Sequence, residues 1–117
     1  MTALTTQPEE LSLRKRPFGL AVKVHVPASL GWFHGHFPDH PILPGVVQLA
    51  WAIEYARNHL DLDPAIERVV GLKFMRVVRP GAHLDLDLQW SPEERSLRFQ
   101  YSERELACSS GRFVLAR

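Results

Sequence analysis

The chain has 117 residues, 45% of them hydrophobic and 23% charged, with a formal net charge of +1, the make-up of one globular domain. So even a balance gives no electrostatic case for nucleic acid, and a single cysteine, Cys108, rules out an intrachain disulfide framework. No apolar run reaches the roughly eighteen residues of a membrane span, so no membrane insertion is expected. Met1 to Glu10 is polar and lacks the apolar core of a signal peptide; the expected location is therefore cytoplasmic. The basic cluster Arg14-Lys15-Arg16 is short and reads as part of a solvated N-terminal tail over residues 1–17, with a single domain over 18–117.

From Leu20 to Val26 apolar and polar positions alternate, the pattern of a half-buried strand. The stretch from Pro27 to Pro44 carries four prolines and two glycines, so it is neither helix nor central strand throughout. It also gathers Trp32, Phe33, His34 and His36, and a long loop in a domain of this size tends to be functional. Gly45 to about Leu60 reads as a helix opened by Pro44 at its first turn. Its first half is apolar almost all round, which predicts a buried helix rather than one lying on a surface.

Sheet segments fill the rest. Val69 to Val78 is strongly apolar and runs into the turn pair Pro80-Gly81. His83 to Trp90 sets Leu84, Leu86, Leu88 and Trp90 against Asp85, Asp87 and Gln89. Ser91 to Arg95 is a turn; Leu97, Phe99 and Tyr101 alternate with polar neighbours; Leu106 to Ala116 is a last strand with a bulge expected near Gly111. One helix and a largely antiparallel sheet give an α+β layer arrangement, with the sheet wrapped around one long central helix.

The segment Phe33-His34-Gly35-His36-Phe37-Pro38-Asp39-His40-Pro41-Ile42-Leu43-Pro44-Gly45-Val46 resembles, without a gap, the signature of bacterial 3-hydroxyacyl-ACP dehydratases of the FabZ and FabA type. Leu72 to Gly81 is similar to that family's strand ending in a Pro-Gly turn, and Ile42 to Trp51 resembles the ApeI-like branch linked to aryl-polyene lipids. The resemblance covers the chain from about residue 20 onward. It implies a hotdog fold, a homodimer or larger assembly, and a substrate carried on the phosphopantetheine of acyl carrier protein. It implies elimination of water from a 3-hydroxyacyl thioester to a 2-enoyl thioester, with no metal or redox cofactor.

That reaction needs a base, and a histidine titrates near neutral pH. His36 stands where the family has its catalytic histidine. Gly45 matches the residue whose N–H receives the charge on the thioester oxygen, at a helix end rich in unpaired donors. Phe33, Gly35, Phe37, Pro44 and Val46 are the expected substrate-binding residues, although Trp32, Phe33 and Phe37 would serve equally as core. The family's proton donor lies fourteen residues after the histidine, on the helix, and acts across the dimer; here that position is Ala50. Glu54 lies one turn on, about 6 Å along the same face, where it is either the substitute acid or the partner of Arg57 in an ion pair. Gln48 points elsewhere on the helix and is a weaker candidate. His36 acting as both base and acid, or a heterodimer whose related subunit supplies the carboxylate, are the other solutions.

The spacing of His34, His36 and His40 lacks a clear further ligand, so no metal is expected. His25, His59 and His83 read as surface positions, and Cys108 as a small buried residue. Three functions stay open: the dehydratase, a catalytically incomplete subunit of a heteromeric dehydratase, and a hotdog acyl thioesterase in which Glu54 activates water.

Overall fold

A computed structural model describes residues 6–29, 41–62 and 65–116. Along the chain these form β1 (Glu9–Arg16), β2 (Gly19–His25), α1 (Gly45–His59), β3 (Ile66–Phe74), β4 (His83–Ser91), β5 (Ser96–Glu103) and β6 (Leu106–Leu115). The strands make one antiparallel sheet in the order β1-β2-β4-β5-β6-β3.

The core results from strict alternation. Leu20, Val22 and Val24 of β2, Leu84, Leu86 and Leu88 of β4, and Leu97, Phe99 and Tyr101 of β5 all point inward and are buried. They meet Val47, Trp51, Ala52 and Ala56 of α1 in a single cluster. Burying an aliphatic or aromatic side chain of this kind contributes about 1.5–3 kcal/mol. The outward positions Asp85, Asp87, Arg98 and Gln100 stay in water.

Four expectations change. Residues 9–16 are not a tail: they pair with β2 from Glu9↔His25 to Arg16↔Gly19. Only Leu13 of this strand is even half-buried, so the backbone ladder holds β1, and its charges are those of a protected sheet edge. The third strand runs from Ile66 to Phe74 rather than to Val78, because the N–H groups of Met75 and Arg76 both turn to the carbonyl of Cys108, at 2.8 and 3.1 Å. The ladder is irregular opposite Gly111, as expected, but there the extra residue is in β3, between Val70 and Lys73; the extra residue of β6 itself is Cys108, between the pairs Tyr101↔Ser109 and Ser102↔Ala107. Finally, α1 is buried on one side only: Val46 is 71% exposed, and Ala50 and Glu54 are exposed with it. The sheet of one chain covers one face of the helix and leaves the other open.

The Pro80-Gly81 turn has the geometry the sequence predicts. Gly81 sits at φ 88°, and Ala82 N–H reaches the Arg79 carbonyl at 3.2 Å, a tight turn whose third position favours glycine. Cys108 is buried, as expected, and its thiol is pushed up by burial and then by Glu103.

Candidate active site

Both ends of the motif loop are fixed to one connection. Val26 exchanges backbone hydrogen bonds with the 81–82 region, its N–H donating to the Ala82 carbonyl and its own carbonyl accepting from Gly81 at 2.8 Å. At the far end Leu43 N–H donates to the Val78 carbonyl at 2.7 Å. Residues 30–40 between these anchors lie outside the described residues, and with them His36, Phe33, Gly35 and Phe37, as well as His34, Asp39 and His40.

Beyond the loop the chain enters α1. Pro44 is the N-cap, in extended conformation, and no side chain among the described residues caps the helix. The first turn holds no acidic residue. Val47 and Gln48 N–H groups both point to the Pro44 carbonyl, whereas those of Gly45 and Val46 have no acceptor among the described residues. Such a helix start offers donors at the positive end of the helix dipole.

Gly45 lines a cavity of about 200 Å³ together with Ile42, Leu43 and Gln48 on one side and Phe74, Met75, Arg76 and Val77 on the other. The Phe74 ring lies against Gly45: a Cβ at that position would stand 2.4 Å from Phe74 Cζ. Glycine is therefore required for the ring and the helix start to meet as they do. The cavity is apolar apart from Arg76, Gln48 and the helix donors, which suits an acyl thioester better than a charged substrate.

The remaining candidates fall elsewhere. Glu54 is nine residues beyond Gly45, about half a turn out of phase and roughly 13 Å along the axis. It lines a second cavity of about 400 Å³ with Thr6, Gln7, Val46, Val47, Ala50 and Trp51. The N-terminal segment closes one side of this cavity, with Trp51 Nε1 donating to the Thr6 carbonyl at 3.1 Å. No salt bridge joins Glu54 to Arg57 among the described residues. Within one chain, then, Gly45 and Glu54 do not meet, while Ala50, Glu54 and Val46 share an outward stripe. Among the described residues no group of three or more His, Cys, Asp or Glu side chains is placed to hold a metal ion, and no helix is long and apolar enough to cross a membrane.

Gln48, the weaker candidate by helical spacing, is deeply placed. It is 3% exposed; its Oε1 accepts from Ser109 Oγ at 2.6 Å, and its backbone carbonyl accepts from Tyr101 Oη at 2.6 Å. Burial holds the Tyr101 hydroxyl neutral by raising its pKa far above the ordinary value, with Tyr55 adding to the effect. Phe74, Met75 and Ser109 also line or brace the site; Phe74 and Met75 lie in the family-like Leu72–Gly81 segment, which does not single them out, and nothing in the sequence marks Ser109. The one signal present is a glutamine inside the apolar run Val46–Ile53, since a buried amide needs partners.

Comparison with known proteins bears on the family and the fold. The family model described as ApeI-like, ApeI dehydratase, matches residues 13–112. A 3-hydroxyacyl-[acyl-carrier-protein] dehydratase FabZ of Alkaliphilus metalliredigens is 31% identical over 115 residues, 86% of this chain and 74% of the relative. A FabZ of Sorangium cellulosum is 39% identical over 64 residues, and there the match spans 47% of this chain and only 41% of the relative. Among solved structures, the dehydratase heterocomplex ApeI:P from Xenorhabdus doucetiae superposes with a TM-score of 0.89 at 29% identity, covering 95% of this chain and 99% of that one. An uncharacterised protein from Erwinia carotovora subsp. atroseptica gives 0.83 at 34% identity, covering 93% and 95%. The expected hotdog fold, an antiparallel sheet with one helix, is the fold of this chain.

Proposed function

Because the chain belongs to the ApeI-like dehydratase family, we propose that it takes part in the removal of water from a 3-hydroxyacyl thioester on acyl carrier protein, giving the 2-enoyl thioester. The observation that carries this reading is the start of α1: two backbone N–H groups, without acceptors among the described residues, open beside an apolar cavity directly after the histidine-bearing loop.

In this reading His36 takes a proton from the carbon next to the thioester carbonyl. The electron pair moves onto the carbonyl oxygen, where Gly45 N–H donates to it; such a donor is worth about 3–4 kcal/mol of transition-state stabilisation. As the pair returns, the new carbon–carbon double bond forms and the 3-hydroxyl departs with a proton as water. Phe33, Gly35, Phe37, Pro44 and Val46 line the acyl path. No electrons leave the substrate, so the reaction calls for no redox cofactor; that it needs no metal is what the family resemblance implies, and the proposed setting is the cytoplasm.

The source of the proton for the leaving hydroxyl decides the assembly. Ala50 cannot supply it, and Glu54 lies on the far side of its own helix from Gly45. A carboxylate on that outward stripe reaches a Gly45 site only on a second subunit, so an assembly is part of the proposal. A homodimer makes Glu54 the acid. A heteromer, favoured by the alanine at position 50 and by the likeness to a subunit of a dehydratase heterocomplex, lets a related subunit supply a carboxylate instead.

The test is turnover of 3-hydroxyacyl thioesters by the chain alone and by the chain co-purified with a carboxylate-bearing homologue. His36→Ala is expected to lower the rate by about 10²–10⁴-fold in whichever assembly is active. Release of free thiol without enoyl product would replace the dehydratase reading by a thioesterase.

A further inference from the structure

The two walls of the cavity beside Gly45 hang from one point of β6. The helix wall is tied there through Gln48, whose side-chain oxygen accepts from the Ser109 hydroxyl at 2.6 Å. The opposite wall is tied there through Cys108, whose carbonyl accepts from both Met75 and Arg76 N–H. Cys108 is the extra residue of the β6 bulge, and a bulge of this kind frees a carbonyl from the ladder and redirects its neighbours. Phe74, whose ring lies on Gly45, is the cross-strand neighbour of Ser109. Tyr101, paired with Ser109 on the other side, reaches the Gln48 backbone carbonyl. Gln48 and Ser109 are both buried, at 3% and 0% exposure.

A polar pair kept in an otherwise apolar core has a cost unless its geometry is satisfied. Here the amide also closes back on the helix entry, its Nε2 lying 3.4 Å from the Leu43 carbonyl. Leu43 in turn is bonded to Val78, beyond the opposite wall. The contacts therefore form a closed circuit: helix entry, Gln48, Ser109, the Cys108 carbonyl, the Met75–Arg76 wall, Val78, and back to Leu43.

We infer that Gln48 and Ser109 are positioning residues, a clamp that fixes the Gly45 N–H at a set distance from the facing wall and so sets the slot in which the thioester oxygen is received. The pair does not touch the reacting atoms; it acts through the helix start. This rests on the dehydratase reading for its catalytic consequence, but the clamp itself can be read without turnover.

The assembled protein is labelled with isotopic glycine and the Gly45 amide is monitored by NMR, with Gly19 and Gly81 as reporters of the fold. Ser109→Ala and Gln48→Leu are each expected to shift or broaden the Gly45 amide while Gly19 and Gly81 keep their positions. Ser109→Thr, which retains the hydroxyl, is expected to recover most of the wild-type signal. With 3-hydroxybutyryl-pantetheine as substrate, both disabling variants are expected to lower kcat about tenfold with KM within about twofold, and the double variant to lose no more than either single one. An unmoved Gly45 amide in Ser109→Ala overturns the inference, as does an altered amide with unchanged kcat. Should Gly19 and Gly81 move as well, Gln48→Met, which keeps the chain length, gives the same comparison in a milder form. Absence of turnover in the wild-type assembly, with the Gly45 amide still responding to Ser109→Ala, defeats the dehydratase reading and leaves the clamp standing.

Discussion

The two faces of α1 differ in how far one chain completes them. On the Gly45 face the residues bracing the helix start are tied: the Phe74 ring sits on the glycine, and Gln48 is held by Ser109 and, through its carbonyl, by Tyr101. On the opposite face Val46, Ala50 and Glu54 look outward, with the Thr6–Gln7 segment along one side. The first face carries donors without an acid, and the second carries a carboxylate without donors. In the proposed dehydratase a single chain would thus hold two unlike halves of a site, joined when the open face of one subunit meets the Gly45 face of another.

The largest effect that can break this comparison is expected at position 50. If the open face lacks only an acid, Ala50→Glu in the chain alone raises dehydratase turnover by about 10²-fold or more. Its stability stays within about 0.5 kcal/mol of the parent, since the position is exposed. Turnover unchanged by the carboxylate, measured in the same thioester assay, would separate the two faces functionally.

Next comes the tied face. Gly45→Ala drives a methyl into Phe74 and is expected to cost about 1–3 kcal/mol in chemical denaturation. Phe74→Leu in the same chain should return most of that loss, because the obstructing atoms belong to the far end of a side chain rather than to backbone. A loss that survives the second change would place the constraint in the helix start itself.

Smaller again is the alkaline response. Tyr101, beneath the tied face, has its pKa raised by burial, and Tyr55 is raised by burial and then by Glu10. A neutral group whose folded pKa lies above its unfolded value stabilises fully below the unfolded value, about 10 for tyrosine, and loses that contribution as pH rises beyond it. Melting temperature should hold up to pH about 10 and then fall. In Tyr101→Phe the alkaline fall should be shallower, with about 1 kcal/mol lost at neutral pH for the missing bond to Gln48.

Most of the sheet was legible because its alternation is strict. β2, β4 and β5 place every second residue in the core, and Pro44-Gly45 marks the helix start without ambiguity. β1 was hidden because its charges read as a solvated tail, while the bonds that hold it are backbone groups common to every residue. The end of β3 was misplaced because Met75 to Val78 is apolar enough to extend a strand, and only the bulge at Cys108 shows where its N–H groups go instead. At the site, helical spacing sufficed to put Ala50 and Glu54 on a shared face. It did not reveal that this face turns away from Gly45's cavity, because spacing fixes relative angle but not which side the sheet covers. Gln48 stood out as a polar residue in an apolar run, but its partner lies 61 positions away and no local pattern joins them.

The sheet has unlike borders. β1 presents Glu9, Glu10, Arg14, Lys15 and Arg16 around an exposed Leu11, whereas β3 mixes Val69, Leu72 and Phe74, at 38–51% exposure, with the exposed charges of Glu67, Arg68 and Lys73. Strand addition through β3 would cover more apolar surface than addition through β1 and would leave a β1 strand at both ends of the product. A pair joined in that way would carry a charged β1 border at each end, and charge on an edge strand resists further edge pairing.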